Sequence, residues 1–127
     1  MVRAGTEEIK NEVEAIKRLH GPDNHQNIVD FFDHGHLEGT SYYFIDMELC
    51  DLDLSQYLAG ERPLAASEPH VGAVFVPNDC ELQLKLQNTF IILNHITSAL
   101  EFAHKLGLVH RDLKPANGNL FVLRNRN

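Results

Sequence analysis

The chain of 127 residues is acidic: 18 Asp and Glu side chains against 11 Lys and Arg give a formal net charge of −7. This charge argues against non-specific binding to nucleic acid or to an anionic membrane, and no apolar run is long enough to span a bilayer. The two cysteines form no CxxC pair and the N-terminus lacks a signal-peptide core, so we expect an intracellular protein, cytoplasmic or nuclear.

The first predicted element is a helix from Thr6 to His20. Thr6 is a suitable N-cap, and two glutamates follow in the first turn, where the helix dipole favours anions. Glu12 projects into the apolar stripe, where a carboxylate is costly unless it is paired. Two interpretations stay open: Glu12 binds a cation from another element, or it lies at the edge of the stripe and bends out to solvent. The stripe is formed by Ile9, Val13, Ile16 and Leu19.

Two strands are expected next, at Ile28 to Phe32 and Tyr42 to Leu49, because both stretches are rich in β-branched and aromatic residues. Turns are predicted between them at 33–36 and 38–40. His34 and His36 form an HxH pair, but no second ligand pair stands at a known metal-site spacing. Solvent-exposed turn histidines are the favoured interpretation.

A short helix is predicted after residue 53. Leu54, Tyr57 and Leu58 make one apolar face, and Gly60 is placed to end it. The stretch 61–80 contains three prolines and is predicted to be a variable loop, with an apolar run at 71–76 that suits an ordered loop or an edge strand.

The longest predicted element is a helix from Glu81 to Lys105, ended by Gly107. Its apolar residues cover much more than one stripe, so we expect burial on most sides, and His104 is assigned to packing. These apolar residues are Leu86, Phe90, Ile91, Ile92, Leu93, Ile96, Ala99, Leu100, Phe102 and Ala103.

The segment with the clearest chemistry is 110–117, which reads His-Arg-Asp-Leu-Lys-Pro-Ala-Asn. Phosphoryl transfer needs a carboxylate that orients the attacking hydroxyl and accepts its proton, and an oxygen ligand for Mg²⁺ close by. Asp112 and Asn117 lie on one short loop, so both can face a single phosphate. This run resembles the catalytic loop of the eukaryotic protein kinases.

The resemblance covers nearly the whole chain and implies an α+β fold, a partial protein-kinase domain spanning 1–127. Residues 11–19 look like helix C, and residues 96–110 look like helix E running into the catalytic loop. The implied organisation is 1–49 as part of the N-lobe with helix C and two strands, 50–60 as hinge and helix D, 61–80 as the variable loop, and 81–127 as helix E, the catalytic loop and the strand that follows.

The resemblance implies a role for each polar residue of the loop. Asp112 would be the catalytic base, Lys114 the contact to the transferring phosphoryl group, and Asn117 the Mg²⁺ ligand. His110 and Arg111 would hold the loop in place, and Arg111 also suggests control by phosphorylation of an activation loop.

The resemblance also implies an ATP site and an organiser on helix C. Glu12 would pair with the family's strand-three Lys, and Met47 would be the gatekeeper beside the adenine. The backbones of Glu48 and Cys50 would bind the adenine edge, and the Cys50 side chain is equally suited to be a small inert apolar group. Asp53 would lie near the ribose, or it caps the next helix.

The implied function is transfer of the ATP γ-phosphoryl group, with Mg²⁺, to a protein substrate, and Lys114 and Pro115 favour serine or threonine over tyrosine. The chain contains no Gly-rich loop, no V-A-I-K-type Lys before Glu12 and no D-F-G after Asn117. We therefore expect the 127 residues alone to be inactive or barely active, with an exposed apolar helix and a tendency to aggregate. The resemblance also implies an aliphatic strand directly after Asn117, but Gly118 and Asn119 stand before the apolar run at 120–123, which predicts a weak edge.

Two alternatives to the kinase interpretation stay open. In the first alternative the chain would be a non-catalytic kinase-like fragment. It would be either a binding module that docks a partner protein on the exposed helix 81–105 or the product of an incomplete gene model. The other alternative is a small-molecule kinase of the aminoglycoside-phosphotransferase type. That class shares the Asp-to-Asn spacing but usually lacks the R-D-L-K-P run.

Overall fold

The computed structural model describes residues 6–61, 74–75 and 82–123. Its elements confirm the predicted α+β composition, and the six strands form three separate two-stranded sheets. In chain order the elements are α1 (Thr6–Leu19), β1 (Phe31–His36), β2 (Tyr43–Met47), β3 (Leu52–Asp53), α2 (Leu54–Leu58), β4 (Val74–Phe75), α3 (Leu82–Lys105), a 3-10 turn (Pro115–Asn117), β5 (Asn119–Leu120) and β6 (Val122–Leu123).

Helix α1 confirms the prediction to within one residue. Val13 is its buried residue, while Ile9, Ile16 and Leu19 are half-buried. Glu12 is exposed, and no ion pair joins it to any residue that the structure describes. Of the two interpretations of Glu12, the structure shows the one in which the side chain lies at the edge of the stripe and turns out to solvent, because the buried stripe of α1 is too narrow to include it.

Strands β1 and β2 form an antiparallel hairpin in which His36 faces Tyr43 and Phe31 faces Met47. The first strand lies at 31–36, so both the predicted strand at 28–32 and the predicted turn at 33–36 are wrong in position. The strand register shifts between Phe31 and Asp33, as at a β-bulge, and the residues 33–36 pair with β2. The turn predicted at 38–40 is confirmed: the Thr40 N–H donates to the Leu37 carbonyl at 3.1 Å.

Helix α2 begins with a capping box at Asp53. The Asp53 carboxylate accepts from the Gln56 N–H at 2.9 Å, and the Gln56 side-chain carbonyl accepts from the Asp53 N–H at 2.9 Å. Gly60, with φ of +80°, follows the end of the helix as predicted. Buried Leu52, in β3, pairs with Leu120 of β5, so α2 starts directly against the segment that follows the 3-10 turn.

The predicted variable loop at 61–80 contains a strand, β4, which pairs in parallel with β6. The rest of that stretch, at 62–73 and 76–80, lies outside the described residues. The strand predicted at 120–123 is divided at Phe121: β5 pairs with β3, and β6 pairs with β4.

Helix α3 runs to Lys105 as predicted, but it is not buried on most sides. Its buried residues are Asn88 and Ile92, whereas Phe90 is 73% exposed and His104 is exposed, so the packing role assigned to His104 is wrong. The expectation of an exposed apolar helix is confirmed, with Leu82, Leu86, Phe90 and Leu93 all more than half exposed. Within the described residues, no helix has the length and apolar character that a membrane crossing requires.

Candidate active site

The end of α3 leads directly into the segment 110–117. Gly107 has φ of +72°, a conformation that a residue without a Cβ adopts at little cost. The Leu108 N–H donates to the Ala103 carbonyl and the Gly107 N–H to the His104 carbonyl, both at 2.9 Å. These two hydrogen bonds form a Schellman motif, which directs the chain out of the helix.

The segment is also held at its far end. The Asn117 N–H donates to the Lys114 carbonyl at 3.0 Å, and the Gly118 N–H donates to the Pro115 carbonyl at 3.1 Å, forming the 3-10 turn. The Gly118 carbonyl then accepts from the Leu54 N–H at 2.6 Å. A Cβ on Gly118 would lie 3.4 Å from the Leu54 Cβ, so the glycine permits this close approach.

Three polar side chains converge between these two anchors. Lys114 Nζ lies 3.0 Å from Asp112 Oδ2. The Asn117 amide nitrogen donates to the same Oδ2 at 3.1 Å and to the Asp112 carbonyl at 2.9 Å. The structure therefore brings together the predicted base, phosphate contact and metal ligand in one exposed cluster.

The charge state of Asp112 follows from these neighbours. Hydrogen bonds from Lys114 and then from Asn117, with the charges of Lys114 and His110, hold the pKa of the Asp112 carboxyl below its ordinary value. The carboxylate is thus ionised at neutral pH. It can accept a hydrogen bond from an incoming hydroxyl and orient it.

The backbone at Arg111 is unusual, because its φ of +62° lies in the left-handed region that side chains other than glycine rarely adopt. Strained residues of this kind are found preferentially at functional sites. The next residue is fixed locally: the Asp112 N–H donates to His110 Nδ1 at 3.3 Å. Both His110 and Arg111 are exposed.

The side chain of Asn117 is the predicted Mg²⁺ ligand of the loop. Its amide nitrogen is used by Asp112, which leaves the Oδ1 atom as the metal-ligating atom of that side chain. An oxygen donor suits this hard cation, but Mg²⁺ is usually held by one or two carboxylates together with phosphate oxygens. Among the described residues there is no group of three His, Cys, Asp or Glu side chains that could hold a metal ion. Asn117 Oδ1 is thus one oxygen donor that the loop could offer to Mg²⁺, and the other ligands would have to come from elsewhere.

The predicted adenine-binding segment follows β2. Met47 is 50% exposed, and the Glu48 N–H is already used, because it donates to the Asp30 carbonyl at 2.8 Å. The Asp51 N–H donates to the Leu120 carbonyl at 3.0 Å, which ties this segment to β5. The Glu48 N–H predicted to bind the adenine edge is therefore already engaged within the fold.

Cys50 lies in the same segment and is half-buried. Burial, with smaller contributions from the Glu48 and Asp51 carboxylates, raises the pKa of the Cys50 thiol to about 11. The thiol is therefore protonated and inert at neutral pH. This agrees with its interpretation as a small apolar residue.

The carboxylate of Asp53 is occupied by its own helix. It accepts from the Ser55 hydroxyl and from the Gln56 N–H, and these two hydrogen bonds hold the pKa of the Asp53 carboxyl below its ordinary value. Of the two interpretations of Asp53, the structure shows the N-cap of α2. No hydrogen bond or ion pair links Glu12 to this region among the described residues.

One contact between helices α2 and α3 was not predicted from the sequence. Asn88 is 1% exposed, and its amide donates to the Tyr57 hydroxyl at 2.9 Å, which joins α3 to α2. The available signal was a polar residue on an otherwise apolar helix, four residues before the buried Ile92. A buried amide requires a hydrogen-bond partner, so its position indicates an interhelical contact.

Comparison with known proteins identifies the family to which the chain belongs. The family described as "Protein kinase domain" matches residues 2–126. No solved structure matches the chain.

Several curated proteins are similar over most of the chain. Probable serine/threonine-protein kinase FMP48 of Saccharomyces cerevisiae is 34% identical over 110 residues, covering 86% of this chain and 26% of the relative. Serine/threonine-protein kinase ATG1 of Komagataella pastoris is 32% identical over 116 residues, covering 87% of this chain and 14% of the relative. The interferon-induced, double-stranded RNA-activated protein kinase of Mus musculus is 30% identical over 142 residues, covering 98% of this chain and 22% of the relative. The chain thus spans about a quarter or less of the length of these relatives.

Proposed function

The chain belongs to the protein kinase family, and from this premise we propose that the protein transfers the γ-phosphoryl group of ATP to serine or threonine hydroxyls of a protein substrate. The observation that carries the proposal is the engagement of one ionised carboxylate, that of Asp112, by both Lys114 and Asn117. The names of the similar serine/threonine kinases support the choice of hydroxyl, as do Lys114 and Pro115.

The proposed reaction assigns the proton to Asp112. The substrate hydroxyl oxygen forms a bond to the γ-phosphorus while the bond from that phosphorus to the bridging oxygen breaks, and ADP leaves with the electron pair. Asp112 orients the hydroxyl and takes its proton. A base with a lowered pKa suits this reaction, because the loose transition state needs positioning more than strong proton abstraction.

Lys114 and Asn117 have separate roles in the proposal. The Lys114 ammonium lies beside the attacking hydroxyl's position and offsets negative charge on the phosphoryl group. Asn117 holds the Asp112 carboxylate through its amide nitrogen and presents Oδ1 to a metal ion. Mg²⁺, when bound, neutralises charge on the ATP phosphates.

The 127 residues by themselves are proposed to turn over little or no substrate. Glu12 is exposed and joined to no cation among the described residues, and the sequence holds no D-F-G carboxylate to complete the Mg²⁺ shell. Losing one preorganised electrostatic group typically costs about 10²–10³ in rate, and several are involved here. The Met47-to-Asp53 segment is proposed to receive the adenine and ribose of ATP.

The proposal is tested on the protein purified from its own cells with an antibody against residues 82–105. Radiolabelled ATP, Mg²⁺ and a generic basic protein substrate are supplied, followed by phosphoamino-acid analysis. We expect label on serine and threonine, and loss of about 10²–10⁴ in rate for Asp112→Asn. Asp23→Asn, which neutralises an exposed carboxylate in the turn after α1, is the matched control and should keep full activity.

Three outcomes would reject the proposed function: no transfer by the wild-type protein, equal rates for Asp112→Asn and wild type, or label on tyrosine alone. The same antibody reports the mass of the natural product. A product of 14.4 kDa without activity would favour the alternative of a protein-binding module, and the apolar face of α3 would be its first candidate docking surface.

A further inference from the structure

Arg18, in the last turn of α1, contacts the far end of α3. Its Nη2 donates a hydrogen bond to the Leu106 carbonyl, across a sequence separation of 88 residues. Neither the resemblance nor the apolar stripe assigns any role to Arg18.

The Leu106 carbonyl lies at the C-terminal end of α3, where the helix itself supplies no donor. The last four carbonyl groups of a helix have no partner within the helix. The Schellman motif satisfies the carbonyls of Ala103 and His104, but the carbonyl of Leu106 accepts neither of its hydrogen bonds. A guanidinium at this position also meets the negative end of the helix dipole, which favours cations.

The contact lies at the entry to the catalytic loop. Leu106 immediately precedes Gly107, where the chain leaves the helix with φ of +72°, and His110 follows a few residues later. A Cβ on Gly107 would lie 3.7 Å from Arg18 Nη2, so the guanidinium packs directly against this turn. Loss or movement of the Arg18 side chain would therefore change the packing of the turn from which the backbone continues to Asp112.

A second contact joins the same two parts of the chain. The Asn27 N–H donates to His25 Nδ1 at 3.2 Å, so Nε2 carries the ring proton and donates to the Ser98 hydroxyl at 3.0 Å. The His25 ring also packs on Phe102, with ring centroids 5.1 Å apart. The end of α1 and the turn after it thus meet the last turns of α3 at two places.

We propose that Arg18 is a positioning residue for the kinase reaction. It caps α3 at Leu106 and thereby fixes the start of the catalytic loop relative to α1, the helix that also carries Glu12. The inference rests on the proposed function. Arg18 acts through the Gly107 turn alone and is assigned no contact with substrate or ATP.

The first test measures amide hydrogen exchange in the 127-residue chain. Arg18→Ala should accelerate exchange of the Gly107 and Leu108 amides roughly tenfold, because their hydrogen bonds close the turn that Arg18 holds. Lys17→Ala is the matched control: it removes one exposed positive charge from the same turn of α1 and should leave both amides unchanged.

The second test measures steady-state kinetics of the protein purified from its own cells. Arg18→Ala should lower kcat roughly tenfold and leave KM for ATP and for the substrate unchanged, since only the placement of the loop is altered. Arg18→Lys keeps a cationic donor and should recover most of kcat, whereas Lys17→Ala should behave as wild type.

The outcomes separate this inference from the proposed function. Equal exchange in Arg18→Ala and Lys17→Ala would overturn the contact, and accelerated exchange with unchanged kcat, or a raised KM with unchanged kcat, would overturn the positioning role. A wild-type protein that transfers no phosphate would reject the proposed function. The exchange comparison would then still support or overturn the role of Arg18 as the cap of α3.

Discussion

The predicted catalytic loop at 110–117 and the predicted adenine-binding segment at 48–54 depend on contacts of different range. In the loop, Asp112 contacts His110, Lys114 and Asn117, all within five residues of it. Segment 48–54, which overlaps the predicted hinge, depends on distant partners, because three of its backbone N–H groups donate to the carbonyls of Asp30, Leu120 and Gly118. The contacts around the Asp112 carboxylate are thus made within the loop itself, whereas the geometry of segment 48–54 exists only when three separate segments meet.

The largest effect is expected from Lys114→Ala, which removes a local contact. The rate of phosphoryl transfer should fall by about 10²–10³. Because Lys114 is the first cause of the lowered pKa of Asp112, the pKa of the variant's Asp112 carboxyl should rise towards its ordinary value.

The sign of the pH effect follows from this change. In the proposed reaction Asp112 acts as the carboxylate, so a higher pKa of this group moves the acid limb of the pH–rate profile to higher pH. Lys85→Ala, an exposed lysine of α3, should leave the profile unchanged. An acid limb that stays in place in Lys114→Ala would show that Lys114 does not set the charge state of Asp112.

The next largest effect is expected for the reactivity of the Cys50 thiol, which lies in segment 48–54. With the thiol pKa raised to about 11, alkylation of Cys50 in the folded protein should be slower than in the unfolded chain. At about pH 8 the thiolate population, and with it the rate, should be lower by roughly 100-fold. The measurement uses a Cys80→Ser background and iodoacetamide, with and without denaturant. Equal rates in the two conditions would mean that the hinge does not shield the thiol.

The smallest effect is expected from Gly107→Ala at the entry to the catalytic loop. A Cβ in the left-handed conformation should lower the free energy of unfolding by about 1–2 kcal/mol, measured by urea denaturation. Gly21→Ala is the control, because Gly21 has no positive φ and a Cβ there would lie 3.7 Å from the nearest atom, an ordinary contact. Equal stabilities for the two variants would show that Gly107 is not needed for the end of α3.

The helix ends could be predicted because their signals are local. Thr6 and the glutamates after it marked the start of α1, and Gly107 marked the end of α3 to within two residues. Strand positions were harder to predict: Asp33 and Gly35 are residue types that favour turns, yet both pair with β2. A Cβ on Gly35 would lie 3.2 Å from the Phe44 ring, so the glycine there serves close packing rather than a turn.

Burial was the property that periodicity predicted least well. The wide apolar arc of α3 indicated a helix covered on most sides, but Phe90 is 73% exposed and Asn88 is the residue buried most deeply. Glu12 showed the same error, since its place on the stripe indicated burial and the side chain is exposed. Periodicity defines which residues share a helix face, but it does not define what packs against that face.

The amino-acid sequence by itself determined the helices, the family and the composition of the catalytic loop, because caps, apolar spacing and a run of eight neighbouring residues act over short distances. The tertiary structure decided the pairing of β3 with β5, the Asn88–Tyr57 hydrogen bond and the contact of Arg18 with Leu106. Each of these joins residues at least 31 positions apart, so no local pattern records them. They form only when the chain brings distant donors and acceptors together, and burial then makes a partner for each polar group necessary.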